Sequence, residues 1–148
     1  MQPSAVNVLL ADDQESDCVL FTDALKELEI KTIVHAFNDG VELMEYLTDE
    51  NNPKSQLLFL DLNMPRKNGF ESLKEIRSNH KLDNLVIVII STSLSERDIN
   101  ETFDNGANFY ITKPNNFEEL KQLLNKVILN AHPYENLISN RANYILKI

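Results

Sequence analysis

Five short apolar runs, at residues 6–11, 32–37, 57–60, 85–90 and 109–112, alternate along this chain with five segments of helical period. The runs are rich in Val, Ile, Leu and Phe and have the length and make-up of buried parallel strands. Between them, residues 15–28 set Cys18, Phe21, Leu25 and Leu28 on one stripe, and residues 41–47, 70–78, 96–105 and 117–129 repeat the pattern. Strands alternating with helices call for a parallel sheet with right-handed crossovers and helices on both faces. The expected fold is therefore α/β: a doubly wound five-stranded parallel sheet of strand order 2-1-3-4-5, with the first and third strands side by side.

The punctuation agrees. Asn38, Asp39 and Gly40 precede the second helical segment, and Asn51, Asn52 and Pro53 close it. Ser93 and Ser95 are candidate N-caps for the fourth, with Glu96 and Asp98 near the positive end of its dipole, and Gly106 suits its C-terminal turn. At 148 residues the chain fits one domain. Residues 1–130 are assigned to that domain and residues 131–148 to a C-terminal extension, which opens on the breaker Pro133 and ends in an apolar cluster of Tyr144, Ile145, Leu146 and Ile148. The cluster is expected to dock on its own domain, with dimer or partner contact as the alternative.

A net charge of −9 argues against general affinity for nucleic acid or anionic lipid and favours a cationic ligand such as a metal ion. Cys18, the one cysteine, excludes an intramolecular disulfide and reads as a structural thiol. No apolar run reaches the roughly 20 residues of a membrane span, and the N-terminus lacks the basic region and cleavage site of a signal peptide, so a cytoplasmic location is expected.

The strand ends carry the chemistry. The run at residues 57–60 delivers Asp61 into a turn built from Asn63, Pro65, Asn68 and Gly69; the first run ends on Asp12 and Asp13; the fifth runs into Lys113 and Pro114. In open α/β sheets ligands bind beyond the carboxyl ends of the strands, and this topology gathers the three acids and the lysine there. Clustered carboxylates resist joint ionisation, and Mg²⁺ relieves them, taking oxygen ligands octahedrally alongside a phosphate. One exposed carboxylate, a divalent cation and a lysine make a receptacle for a phosphoryl group, with Asp61 as nucleophile. Ser91, ending the fourth run, offers a hydroxyl to a phosphoryl oxygen; Tyr110 lies on the fifth.

On these residues the chain resembles the receiver domain of two-component response regulators, the CheY-like domains of flavodoxin-like fold, over roughly residues 6–129. The acidic pair Asp12–Asp13, the block DLNMPRKNG from Asp61 to Gly69, Ser91, Tyr110 and Lys113–Pro114 all stand at the family's spacing. Single-domain regulators associated with phytochrome-type and hybrid kinases are the most similar. The resemblance implies that Asp61 accepts phosphate from a sensor histidine kinase or a histidine phosphotransfer protein. It implies that Asp12, Asp13, Asp61 and the backbone carbonyl of Asn63 hold Mg²⁺, or Mn²⁺ in its place. By the same resemblance Lys113 and Ser91 stabilise the phosphoryl group, Ser91 and Tyr110 form a switch pair, and Pro114 follows a cis peptide bond. Output passes to an unidentified downstream protein, and a weak or phosphorylation-dependent homodimer is expected through residues 96–105, 109–113 and 117–129 together with the tail.

Two other functions compete. A Mg²⁺-dependent phosphatase of the haloacid dehalogenase type also uses a strand-end aspartate, but it places its general acid two residues on, where this chain has Asn63. A flavin or nucleotide binder would need a glycine-rich phosphate cradle, which the first loop, ADDQESD, does not provide. His35, His80 and His132 have no ligand partners at motif spacing and read as structural or solvent-facing.

Overall fold

The computed structural model describes residues 5–131 and 139–147. Five strands, β1 (Val6–Ala11), β2 (Thr32–Phe37), β3 (Leu57–Asp61), β4 (Val86–Ser91) and β5 (Phe109–Thr112), alternate with five helices, α1 (Glu15–Lys26), α2 (Gly40–Thr48), α3 (Gly69–Arg77), α4 (Glu96–Asp104) and α5 (Phe117–Ala131). All strand pairs are parallel, in the order β2-β1-β3-β4-β5. Every residue of β3 and β4 is buried, as expected of strands covered on both faces, whereas each residue of β2, at the edge, is half-buried or exposed.

Alternate side chains of each strand feed two cores. Val8, Leu10, Leu57, Phe59, Val86 and Val88 face α1 and α5, where Phe21 meets Phe59 edge-on with ring centroids 4.6 Å apart. Leu9, Leu58, Leu60, Ile87 and Ile89 face the other way, against Leu43, Leu73, Ile76 and Ile99 of α2, α3 and α4.

Helix starts follow local chemistry. The Asp39 carboxylate accepts from the Glu42 N–H at 2.9 Å, Asn68 and Glu71 form a reciprocal capping box, and the Ser95 hydroxyl accepts from the Asp98 N–H. Gly106 ends the α4 turn at φ 97°, a left-handed conformation suited to glycine. Boundaries move where tertiary contacts overrule period. β4 starts at Val86 because the Leu85 N–H bonds back to the Leu82 carbonyl of a 3₁₀ turn, leaving Val86 as the first residue opposite Leu57. At the end of α1 the Glu27 and Leu28 N–H groups reach only to i−3, so the helix closes at Lys26. α5 runs two residues past the expected Leu129 to the buried Ala131.

The tail returns to the domain. A 3₁₀ turn at Arg141–Asn143 leads to Tyr144, whose carbonyl accepts from the Tyr110 N–H at 2.8 Å, while the Leu146 N–H donates to the Tyr110 carbonyl at 3.0 Å. The sheet thus gains a short parallel bridge at the outer edge of β5. Tyr144 is fully buried, its ring edge-on to Phe103 and its hydroxyl donating to Thr102 Oγ1 of α4 at 2.6 Å. His132, Pro133 and Ile148 lie outside the described residues.

Candidate functional site

At the carboxyl edge of the sheet, the adjacency of β1 and β3 brings Asp12 beside Asp61. Asp61, the last residue of β3, is 4% exposed; its Oδ1 accepts the Asn63 N–H at 3.1 Å and its Oδ2 accepts from Lys113 Nζ at 3.0 Å. Asp12 is 1% exposed; its Oδ1 accepts the Gln14 N–H at 2.9 Å and its Oδ2 accepts from the same Lys113 Nζ at 3.0 Å. Asp13 is exposed, and one carboxylate oxygen from each of Asp12, Asp13 and Asp61 can be chosen so that all three lie within 4.8 Å of one another.

Lys113 follows β5, and its N–H joins the sheet through the Ser91 carbonyl at 2.9 Å. Its ammonium has three donors, and all three are engaged: Asp12, Asp61 and, at 3.1 Å, Asp17 from the first turn of α1. Asp17 has no place in the sequence reading. Its signal was its position in the first turn of α1, just after the loop that carries Asp12 and Asp13, with side chains tilted back toward the strand ends.

Burial raises the Asp12 pKa, with repulsion from Asp61 adding to it and the Gln14 N–H and Lys113 opposing. Burial alone would lower the Lys113 pKa, but hydrogen bonds and attraction from Asp12, Asp61 and Asp17 outweigh it and raise it, so the ammonium stays charged. Four carboxylates face one ammonium, leaving an excess of negative charge. Hard oxygen donors at this separation suit Mg²⁺ or Mn²⁺ and offer nothing to a thiophilic metal. Cys18 lies behind the site: its Sγ donates toward the Asp12 carbonyl at 3.5 Å, and burial together with the field of Asp12 and Asp17 pushes the thiol up to about 11.

Ser91 and Tyr110 meet through the β4–α4 loop. Ser91 is fully buried, and its Oγ accepts the Ser93 N–H at 3.0 Å. The Tyr110 ring is turned inward and fully buried, with its hydroxyl donating to the Ser93 carbonyl at 2.8 Å; burial raises its pKa against the hydrogen bonds to Ser91 and Ser93. On the other side of the site, Asp39 and Arg66, neither of them a sequence candidate, form an ion pair at 2.7 Å between the start of α2 and the β3–α3 loop. An ion pair across 27 residues leaves no local trace in the sequence.

The fold and the site together define a class: doubly wound α/β domains with a lysine-bridged acidic site where β1 and β3 diverge. The family model for the response regulator receiver domain matches residues 8–125. The chain belongs to that family. It is similar to Response regulator Rcp1 of Synechocystis sp., with 33% identity over 121 residues, 79% of this chain and 82% of that protein. Among solved structures it is similar to the phosphorylated cyanobacterial phytochrome response regulator RcpA (TM-score 0.78, 35% identity, 84% of this chain and 91% of that one). It is likewise similar to the Mn²⁺-bound form of response regulator Rcp1 (TM-score 0.77, 29% identity, 91% and 99%). The phosphatase alternative has no support: the group that Asn63 turns toward Asp61 is its backbone N–H, not a proton-donating acid. Among the described residues no helix is long and apolar enough to cross a membrane.

Proposed function

We propose that Asp61 is the phosphoacceptor of this receiver and that its modification switches a protein-binding surface. The observation that carries the reading is the contact of Lys113 Nζ with Asp61 Oδ2 at 3.0 Å inside a cluster of oxygen ligands. Asp12, Asp13, Asp61 and the Asn63 carbonyl would hold Mg²⁺, or Mn²⁺ as in the Rcp1 structure. When bound, the cation neutralises phosphoryl oxygens as charge moves onto them.

The rest belongs to the chain's own residues. An Asp61 carboxylate oxygen forms the new P–O bond as the P–N bond of a phosphohistidine breaks, and the departing imidazole takes up a proton from water. Lys113 transfers the N–H that it gives to Asp61 onto a phosphoryl oxygen and remains held by Asp17. The Ser91 hydroxyl, which accepts from the Ser93 N–H, would turn its own proton from the Tyr110 oxygen to a phosphoryl oxygen. Drawing Ser91 toward the phosphate pulls on the loop to which Tyr110 is bonded, and Pro114 follows a cis peptide bond. The donor is a sensor histidine kinase or histidine phosphotransfer protein, which places the chain in the cytoplasm. The readers are a downstream protein and a second copy of the chain on the face of α4, β5, α5 and the tail. Residues 1–130 act as the receiver and residues 131–148 as an extension modulating that face.

Mass spectrometry after incubation with acetyl phosphate and Mg²⁺ tests this. The expected result is a single base-labile phosphate on the parent and none on Asp61→Asn; an unlabelled parent, or a labelled variant, removes Asp61 from the role.

A further inference from the structure

We propose that Asp39 and Arg66 are a positioning pair that fixes the β3–α3 loop, and with it the Asn63 carbonyl, so that the acidic site reaches full affinity for its divalent cation. The inference rests on the reading above that Asn63 contributes a ligand. The loop is closed at its base by the Gly69 N–H on the Leu62 carbonyl at 3.1 Å and tightened by the Lys67 N–H on the Pro65 carbonyl at 2.7 Å. Asn63 lies inside that closure, and its other described tie is the N–H bond to Asp61.

Two contacts pin the far side of the loop to α2. The Gly40 N–H donates to the Lys67 carbonyl at 3.0 Å, and a Cβ at Gly40 would lie 2.5 Å from that carbonyl, so only glycine permits the approach. Arg66 then reaches back: Nε and Nη2 both donate to Asp39 Oδ2, at 2.8 and 2.7 Å, while Asp39 Oδ1 is held by the Glu42 N–H. Asp39 is 6% exposed and cannot turn away. Arg66 sits at φ 63°, left-handed and disfavoured for a side chain of this kind. A local preference would relax that conformation, and the guanidinium fork on a buried carboxylate opposes the relaxation.

The backbone strain permits a test that separates positioning from stability. Arg66→Gly removes the fork and relieves the left-handed strain together, so its urea midpoint should equal or exceed the parent's while its Mg²⁺ dissociation constant, by calorimetric titration, rises roughly ten-fold, the scale on which groups orienting metal ligands act. Asp39→Asn, which keeps a capping oxygen for α2, should weaken Mg²⁺ to a similar degree. In the metal-free protein, amide exchange at Asn63 should quicken in both variants while the α2 amides keep their protection. Parent-like Mg²⁺ affinity in Arg66→Gly, or unchanged exchange at Asn63, overturns the proposal. A parent that binds no Mg²⁺ removes the metal reading and the proposal together, whereas a parent that binds it with an equally tight variant removes the proposal alone.

Discussion

Asp39 carries a charge whose worth varies with pH. Burial would push its pKa up, but the Glu42 N–H and the Arg66 guanidinium outweigh burial and hold the carboxyl below its ordinary range. A depressed folded pKa means that the unfolded chain takes up the proton first. The contribution to stability is therefore complete above the unfolded value, near pH 4, and is lost as pH falls through the folded one. The groups facing this carboxylate are Arg66 and the Glu42 and Val41 N–H groups, with Glu42 and Glu45 acting on Arg66. Asp39→Asn should have a lower urea midpoint than the parent at pH 7, and the gap should close as the pH is lowered below about 4. A gap that persists unchanged at pH 2 would show that the charge is not its source. Single residues also show where sequence reasoning stopped. Asp12, Asp13, Asp61 and Lys113 could be found because each follows an apolar run and the topology fixes where runs end. Asp17 needed the facing of a helix turn, and Asp39 was legible only as punctuation before the second helical segment, because its partner arrives from another loop.

Among the elements, the tail is held by both backbone and side-chain contacts. Tyr144→Phe removes the donor to Thr102 Oγ1, whose own proton is bonded to the Asp98 and Ile99 carbonyls, and should cost about 1 kcal/mol, the usual net worth of one buried hydrogen bond. Tyr144→Ala empties a fully buried ring site between Phe103 and Tyr110 and should cost about 3–5 kcal/mol, in the range of large aromatic truncations. Urea denaturation of the pair measures both; an alanine variant within about 1 kcal/mol of the parent would mean the tail is not seated in solution. The ten elements of the sheet and its helices were readable because period and turn residues repeat them. What shifted were their ends: Leu82 captures Leu85, and Ala131 finds a buried site beyond Leu129. The docking of Tyr144 rests on a pocket assembled from α4 and β5, which a linear pattern does not contain.

For the whole molecule, two cores share one sheet, and the second includes Tyr110 of β5 and Tyr144 of the tail. Sheet, helices and tail should therefore unfold together. Urea transitions followed by far-ultraviolet circular dichroism and by tyrosine fluorescence are expected to coincide; an earlier fluorescence transition would show the tail leaving first. Fold class was legible at this scale because a strict alternation of strands and helices admits few topologies, while the seating of the tail was not, since it depends on a face that exists only once the sheet is built.

The bridge at Tyr110 also makes the two rims of the sheet unequal. An open strand edge is a template for another chain, and the tail occupies the Tyr110 N–H and carbonyl that β5 would otherwise present. The other rim, β2, carries the exposed Ile33 and lies bare among the described residues. Stacking of molecules edge to edge, under conditions that loosen the fold, should begin at β2, and a lysine in place of Ile33 is the substitution that should keep such solutions clear.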